Sequence, residues 1–378
     1  MRIAFVSDAA YPWNVGGLES AEFNEAEALA RHHEVHFFSM RWPGMGSDFT
    51  YKRIRYHATK HVTKEKFYRH GRRSIREAII FSVGMLRIFA HRFDVIEANM
   101  FPILHIPLLK LYCKLTGCKL ILDVVEVWSK EYWTRYLGAF WGTLAHLYSN
   151  YFLSSADLYI ANSSITADRI HAAGIGRHRI RVFAPVIDDR LMARIRSKAR
   201  ARKRQVIFSG RLIKEKRLDK WLQVFGRVRE QVPDATGLII GEGPEHLKLM
   251  AMINELGLSD SVRIRPFYPE GNVGAMYREI ASSAVLLNTS EREGLSIISL
   301  EALALGVPVA LPSYTPIPKE VRRMCTVSAE SQLPSTVAKM LRGGRRAIPN
   351  STNLSSFYIS RAERFYDGCF EALGIGKG

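Results

Sequence analysis

Ser290-Glu291-Arg292-Glu293-Gly294-Leu295-Ser296-Ile297-Ile298-Ser299-Leu300-Glu301-Ala302-Leu303-Ala304-Leu305-Gly306-Val307-Pro308-Val309 follows an apolar run that ends near Asn288. The chain therefore leaves a strand into a loop holding Glu293 and Gly294. A helix is expected from about Ser296, with Ile297, Ile298 and Leu300 as its core side, and Gly306 closes it before the next strand, Pro308 to Leu311. Strand, loop, helix and strand in this order form the repeating unit of a doubly wound parallel sheet. Free backbone N–H groups at the helix start make a phosphate site, and Gly294 permits close approach. Glu293 in the loop and Glu301 in the second turn could meet sugar hydroxyls and a ribose. The competing reading leaves both glutamates as solvated residues of an amphipathic helix. It holds for either one alone, whereas the whole set points to a ligand.

Working outward, the same alternation recurs twice. In the first half, apolar runs at Ile3 to Ser7, Glu34 to Ser39, Val95 to Ala98, Leu120 to Val125 and Leu158 to Ala161 alternate with helical stretches such as Leu18 to Arg31. In the second, strands are expected at Gln205 to Gly210, Gly237 to Gly241, Ser261 to Arg265, Ala284 to Asn288 and Pro308 to Leu311. Two Rossmann-like α/β domains follow, residues 1–189 and 205–350. The polar run Arg190 to Arg204, with eight basic residues and no acid, reads as a linker. Residues 351–378 read as a C-terminal helix that packs back on the first domain.

Two further loops carry chemistry. Ser209-Gly210-Arg211-Leu212-Ile213-Lys214-Glu215-Lys216-Arg217-Leu218-Asp219 follows the first strand of the second domain. Ligands of open α/β sheets bind beyond the carboxyl ends of strands, and a guanidinium with an ammonium there suits a diphosphate. Arg211 and Lys216 are the expected phosphate ligands. Gly16-Gly17 after the first strand and Gly241-Glu242-Gly243-Pro244 after a later one are loops able to border a nucleotide, with a plain turn nearly as good a reading.

The combination of Gly16-Gly17-Leu18-Glu19, Gly210-Arg211-Leu212 with Lys216, Gly241-Glu242-Gly243-Pro244, and Glu293 with Glu301 resembles the retaining glycosyltransferases of the GT-B fold, family 4, also called glycosyl transferases group 1. The resemblance runs from residue 1 to about 325 and is strongest from Val206 to Leu311. It implies two Rossmann-like domains facing across a cleft, with a UDP-sugar or GDP-sugar donor held mainly by the second. Glu301 would hold the ribose hydroxyls, Glu293 would contact the donor sugar, and Arg211 and Lys216 would offset charge on the departing diphosphate. The backbone at Gly294, Leu295 and Ser296 would help hold phosphate or sugar, and Gly16 and Gly17 would approach the donor when the cleft closes. The family needs no metal or other cofactor, and no Asp-x-Asp triplet is present.

One position departs from the pattern. In Leu122-Asp123-Val124-Val125-Glu126-Val127-Trp128, Val125 stands where the family often has a histidine that contacts the donor sugar. Glu126 is expected to keep part of that role, and His105 is a candidate substitute with a structural alternative.

The 378-residue chain carries a net charge of +18, placed unevenly. Residues 1–204 hold 32 Lys and Arg against 18 Asp and Glu, and Lys52 to Arg92 alone hold 12 basic residues against Glu65 and Glu77. From His61 to Phe81, Lys64, Lys66, Arg69, Arg72, Arg73 and Arg76 interleave with Phe67, Tyr68, Ile75, Ile79 and Ile80, a pattern for a basic amphipathic helix on an anionic membrane surface. A solvated face ranks close behind, and nucleic acid far behind, since no RNA or DNA module is visible. Phe140, Trp141, Leu144, Leu147 and Tyr151 read as core.

Four cysteines are too few for a disulfide framework, and the opening apolar stretch is too short for a secretory signal, so a reducing, cytoplasmic setting at the inner membrane face is expected. The sequence thus reads as a metal-independent retaining glycosyltransferase with a lipid-linked or glycan acceptor. The rivals are a nucleotide-sugar epimerase or hydrolase of the same fold, and a transferase-like subunit without turnover.

Overall fold

The computed structural model describes residues 1–14, 17–69, 72–183, 187–198, 203–268, 272–293, 295–343 and 354–375. The chain divides into two compact units, Met1–Val186 with Ile359–Gly378, and Ile187–Tyr358. Each is a Rossmann-like α/β domain.

The first unit is built on β1 (Arg2–Val6), β2 (Glu34–Arg41), β3 (Asp48–Tyr51), β4 (Ile54–His61), β5 (Val95–Asn99), β6 (Lys119–Val124), β7 (Leu158–Ala161) and β8 (Ile180–Val182). Their order across the sheet is β8-β7-β6-β5-β1-β2-β4-β3. Every pairing is parallel except β3 with β4, where Asp48 lies opposite His57. The central strands are buried on both faces, which is why they read as continuous apolar runs. Edge strands β3 and β8, and β4 next to the β3 edge, escape that reading because charged residues interrupt them.

Three sequence expectations change here. The Ala139–Leu153 helix buries Gly142, Ser149 and Leu153, and leaves Phe140 at 73%, Trp141 at 62%, Leu147 at 60% and Tyr151 at 67% exposure. The apolar side chains read as core, Phe140, Trp141, Leu144, Leu147 and Tyr151, point outward, while Tyr148, Phe152 and Leu153 pack inward. Gly142 is obligatory, since a Cβ there would lie 2.4 Å from the Trp133 carbonyl oxygen of the preceding helix. Nor do the basic residues of His61 to Phe81 form one helix. The chain makes a short turn of helix at Lys64–Phe67, a two-stranded ribbon at Tyr68–Arg69 and Arg72–Arg73, and a helix only over Ile75–Gly84. Arg73 turns inward, with its guanidinium 2.9 Å from buried Asp8 and 5.1 Å from the Phe67 ring. The side chains of Arg69 and Arg72 fall outside the described set. Finally, the expected linker is helical over Asp189–Ser197, capped by Asp188 accepting from the Leu191 N–H at 2.9 Å, with Met192 and Ile195 buried in the second unit. The basic residues occupy its remaining sides.

The Ala362–Ala372 helix is part of the first unit, burying Ala362, Tyr366, Cys369 and Phe370, while Phe365 stacks on Phe183 with centroids 4.1 Å apart. Tyr366 reaches a set of buried carboxyls. Its hydroxyl lies 3.0 Å from Glu25 Oε2 and 2.8 Å from Glu97 Oε1. A hydroxyl has one proton to donate, so the second contact requires a carboxylic acid. Burial pushes the Glu97 carboxyl up to about 8, Asp123 to about 7 and Asp8 to about 6, and holds Glu22 and Glu25 well above the ordinary carboxyl range.

The second unit contains β9 (Lys203–Ser209), β10 (Thr236–Ile240), β11 (Val262–Arg265), β12 (Ser283–Leu287), β13 (Val309–Pro312) and β14 (Thr326–Ser328), all parallel, in the order β11-β10-β9-β12-β13-β14. Its core includes Phe208, Trp221, Leu222, Phe225, Leu287, Ala310 and Val337. The strand order reverses between β9 and β12, and a crevice at their carboxyl ends is where ligands of such sheets bind. Among the described residues, no helix is long and apolar enough to cross a membrane.

The raised carboxyls carry a prediction. Between the ordinary range near 4 and about 8, the folded chain holds more protons than the unfolded one, so the stability these acids contribute is full below about pH 4, falls as pH rises from 4 to 8 and is gone above that. The denaturant midpoint is expected to be lower at pH 9 than at pH 6, and Glu97→Gln to flatten that slope. Equal slopes in the two proteins would remove Glu97 as a source.

Candidate functional site

Residues after β9 and β12 converge because those strands are neighbours. After β9 comes Gly210, then exposed Arg211 and buried Leu212, with a single 3-10 turn at Lys214–Lys216. After β12 comes the buried polar run Asn288, Thr289 and Ser290. Thr289 donates to the Lys216 and Arg217 carbonyls at 3.2 and 3.0 Å, and the Glu291 N–H donates to the Glu215 carbonyl at 3.0 Å. The two loops are thus stitched together backbone to side chain. Arg217, at φ +48°, pairs with Asp219 and Glu291, both at 3.1 Å.

Lys216 Nζ lies 2.7 Å from Glu293 Oε1, with the two side chains 20% and 10% exposed. The Asn288 amide donates to the same oxygen at 3.4 Å and to Ser296 Oγ at 2.9 Å, and Ser296 Oγ sits 2.7 Å from Ser299 Oγ. Ser296, immediately before the Ile297–Ala304 helix, adopts φ +64°, ψ +71°, a strained conformation for a residue with a side chain. Its hydroxyl is committed to Asn288 and Ser299 and does not cap the helix. Leu295 beside it is buried.

Glu301 is buried in that helix and accepts from the Tyr277 hydroxyl at 2.6 Å. Burial pushes its carboxyl up to about 7, and the Tyr277 bond works in the other direction. The reading of Glu301 as a solvated surface residue is therefore excluded. Gly306 closes the helix at φ +80°.

Gly241 owes its identity to packing. A Cβ there would lie 1.9 Å from the Gly210 carbonyl oxygen, and one on Gly243 would lie 2.4 Å from that of Leu212. The loops after β9 and β10 are zipped by Gly210 N–H to the Ile240 carbonyl at 2.9 Å and Leu212 N–H to the Glu242 carbonyl at 2.8 Å. This contact fixes the backbone from which Arg211 projects.

In the first unit, Gly17 opens the Gly17–Leu29 helix, while Gly16 lies outside the described residues, as does Gly294 in the second. Val125 and Glu126 directly follow β6. The Val125 carbonyl accepts from Thr166, and Glu126 accepts from the Trp128 indole at 3.1 Å. Trp128 packs among Phe101, Tyr132, Trp133 and Tyr136. His105 is fully buried against Phe81, contacts the Pro102 carbonyl, and is held down to about 4 by burial, so it does not stand in for the missing imidazole.

Sequence reasoning missed Tyr277, Asn288 and Ser299. Asn288-Thr289-Ser290 looks like an ordinary strand-ending turn, and only its complete burial marks it. Tyr277 sits in a separate helix, and nothing local links it to Glu301.

Comparison with known proteins agrees with this architecture. The fold is that of GT-B structures, and residues 190–324 match the model of glycosyl transferases group 1 while residues 15–191 match that of Glycosyltransferase Family 4. One relative is the Escherichia coli K12 protein WcaL, provisionally a colanic acid biosynthesis glycosyltransferase, 27% identical over 168 residues that make up 44% of this chain and 41% of that protein. Another is the GDP-mannose-dependent alpha-(1-6)-phosphatidylinositol monomannoside mannosyltransferase of Mycolicibacterium smegmatis, 33% identical over 34% of each chain. The chain spans less than half the length of the curated relatives it matches first. Among solved structures, Anabaena HepE in complex with UDP and glucose superposes with a TM-score of 0.71 at 14% identity, covering 98% of this chain and 100% of that one.

The Lys216–Glu293 pair yields a test. Lys216→Ala leaves a largely buried carboxylate without its cation and is expected to lower stability by about 1–3 kcal/mol in denaturant titrations. Glu293→Gln in the same background should recover part of the loss. A Lys216→Ala protein as stable as the parent would show that the pair does not form in solution.

Proposed function

We propose that the protein transfers a sugar, with retention at the anomeric carbon, from a UDP-sugar or GDP-sugar to a lipid-linked or glycan acceptor at the cytoplasmic face of a membrane. The observation that carries the donor half is that Arg211 and Lys216 follow β9 while Glu293 and Glu301 follow β12, the neighbouring strands where the order reverses, with Lys216 and Glu293 already paired. Glu301, oriented by Tyr277, accepts the ribose hydroxyls. Arg211 and Lys216 receive the diphosphate, and Glu293, released from Lys216 as phosphate arrives, turns to the sugar. Cationic side chains then stabilise the leaving group without a metal, and the leaving diphosphate takes the acceptor proton on the same face. The UDP and glucose in the HepE complex, and the GDP-mannose dependence of the mycobacterial relative, support a donor of this class.

The acceptor half rests on the first unit's exposed apolar side. The Ile75–Gly84 helix and the 3-10 turn after it present Ile75, Ile79, Val83 and Leu86, the Ile106–Thr116 helix presents Leu111 and Leu115, and the Ala139–Leu153 helix presents Trp141, Leu144 and Leu147. Phe89 packs on Tyr112 at 5.4 Å and Lys110 lies over the Tyr151 ring at 5.9 Å, so these elements are neighbours. An apolar face with Arg76, Lys110 and Lys114 exposed beside it suits insertion among anionic headgroups. The relative that acts on a phosphatidylinositol mannoside supports a lipid-linked acceptor.

Two experiments test the halves. Calorimetry with UDP and GDP should show binding that Glu301→Ala or Arg211→Ala weakens about tenfold or more, and unchanged affinity would remove these residues from the site. Incubating donor without acceptor separates transfer from epimerisation or hydrolysis. Donor binding with no product on native membranes would favour a subunit without turnover, for which Val125 gives the structural motive. On anionic liposomes, Trp141→Ser, Leu144→Ser and Leu147→Ser together should cut sedimentation about tenfold or more while sparing nucleotide binding. Undiminished sedimentation would discard this surface.

A further inference from the structure

In the first unit, away from every donor residue, β2 and β4 bring His36 and His57 together on one side of the sheet, and His91 joins them from the segment ahead of β5. One ligating atom from each lies within 4.8 Å of the others. His36 Nδ1 is 2.8 Å from His57 Nε2. The outer nitrogens are also occupied, His36 Nε2 by Glu34 Oε1 at 3.0 Å and His57 Nδ1 by Asp48 Oδ1 at 2.9 Å. Both carboxylates are held in turn, Glu34 by Arg2 and Arg55 and Asp48 by Arg87.

Counting protons exposes a deficit. The chain Glu34, His36, His57, Asp48 has three polar links, and two neutral imidazoles supply only two N–H protons. If both are donated to the carboxylates, which accept only, two bare nitrogen lone pairs face each other across 2.8 Å. Such an arrangement needs a cation between or beside them. A proton is one choice, but His36 is almost wholly buried, and Phe38, stacked on His57, and Phe93, edge-on to His36, wall the cluster, so an extra imidazolium charge is disfavoured there. The other choice is a metal ion, for which neutral imidazoles backed by carboxylates are the usual donor arrangement.

We propose that His36 Nδ1, His57 Nε2 and a ring nitrogen of His91 bind one divalent cation of the zinc class, with Glu34 and Asp48 orienting the first two rings. Zinc with nitrogen ligands at about 2.0–2.1 Å sets them about 3.3 Å apart. Side-chain rotations open the 2.8 Å gap between His36 Nδ1 and His57 Nε2 to that spacing and bring half-buried His91 in to meet them. The ion ties the antiparallel edge of the sheet to the chain entering β5.

The test uses the full chain. After chelator treatment and dialysis against zinc, one equivalent should remain by elemental analysis, and cobalt in its place should give visible absorption of a four-coordinate site. His57→Ala should abolish both, and Asp48→Asn should weaken zinc about 10–100-fold. Wild-type protein that retains no zinc above background would overturn the proposal whatever the variants do, and would leave an imidazolium proton as the bridge. An unchanged cobalt spectrum in His91→Ala would overturn the three-histidine set.

Discussion

A carboxyl group taken out of water without a cation must keep its proton or find a hydroxyl, and both units are organised around that constraint. In the first, Tyr366 from the C-terminal helix stands between Glu25 and Glu97, the latter on the strand beside the reversal of strand order. In the second, Tyr277 serves Glu301 at the corresponding reversal. A phenol answers a buried acid in both places. The C-terminal helix is therefore held by more than apolar packing, since removing it would strand two acids in a dry interior.

Glu293 follows the opposite rule. It is less buried than Glu301 and has a lysine as its partner rather than a phenol. Two glutamates from one loop and helix thereby receive different partners from their surroundings alone. Lys216 is paired with a carboxylate, whereas Arg211 is exposed, so under the proposed function a diphosphate would have to compete for the first cation but not for the second.

Much of this was legible beforehand. The parallel strands announce themselves as apolar runs because they are covered on both faces, and Gly294, Gly306 and the helix between them marked the second unit's site. Edge strand β3 and its neighbour β4 did not, since they carry charged and histidine residues that pair with partners across this side of the sheet. Glu301 and Glu293 could be named from sequence, but their partners Tyr277 and Asn288 could not, because those contacts depend on how separate elements pack. The Ala139–Leu153 helix misled for a plain reason. Periodicity shows that a helix has an oily side, not which way that side faces, and here Gly142 lets the other side dock closely on the neighbouring helix.

That inverted helix governs how the molecule behaves in a test tube. With tryptophan, phenylalanine and leucine turned toward the solvent, the purified chain is expected to cling to other copies of itself, plastic and column matrices through this greasy stripe, and a mild detergent or added phospholipid to keep it dispersed.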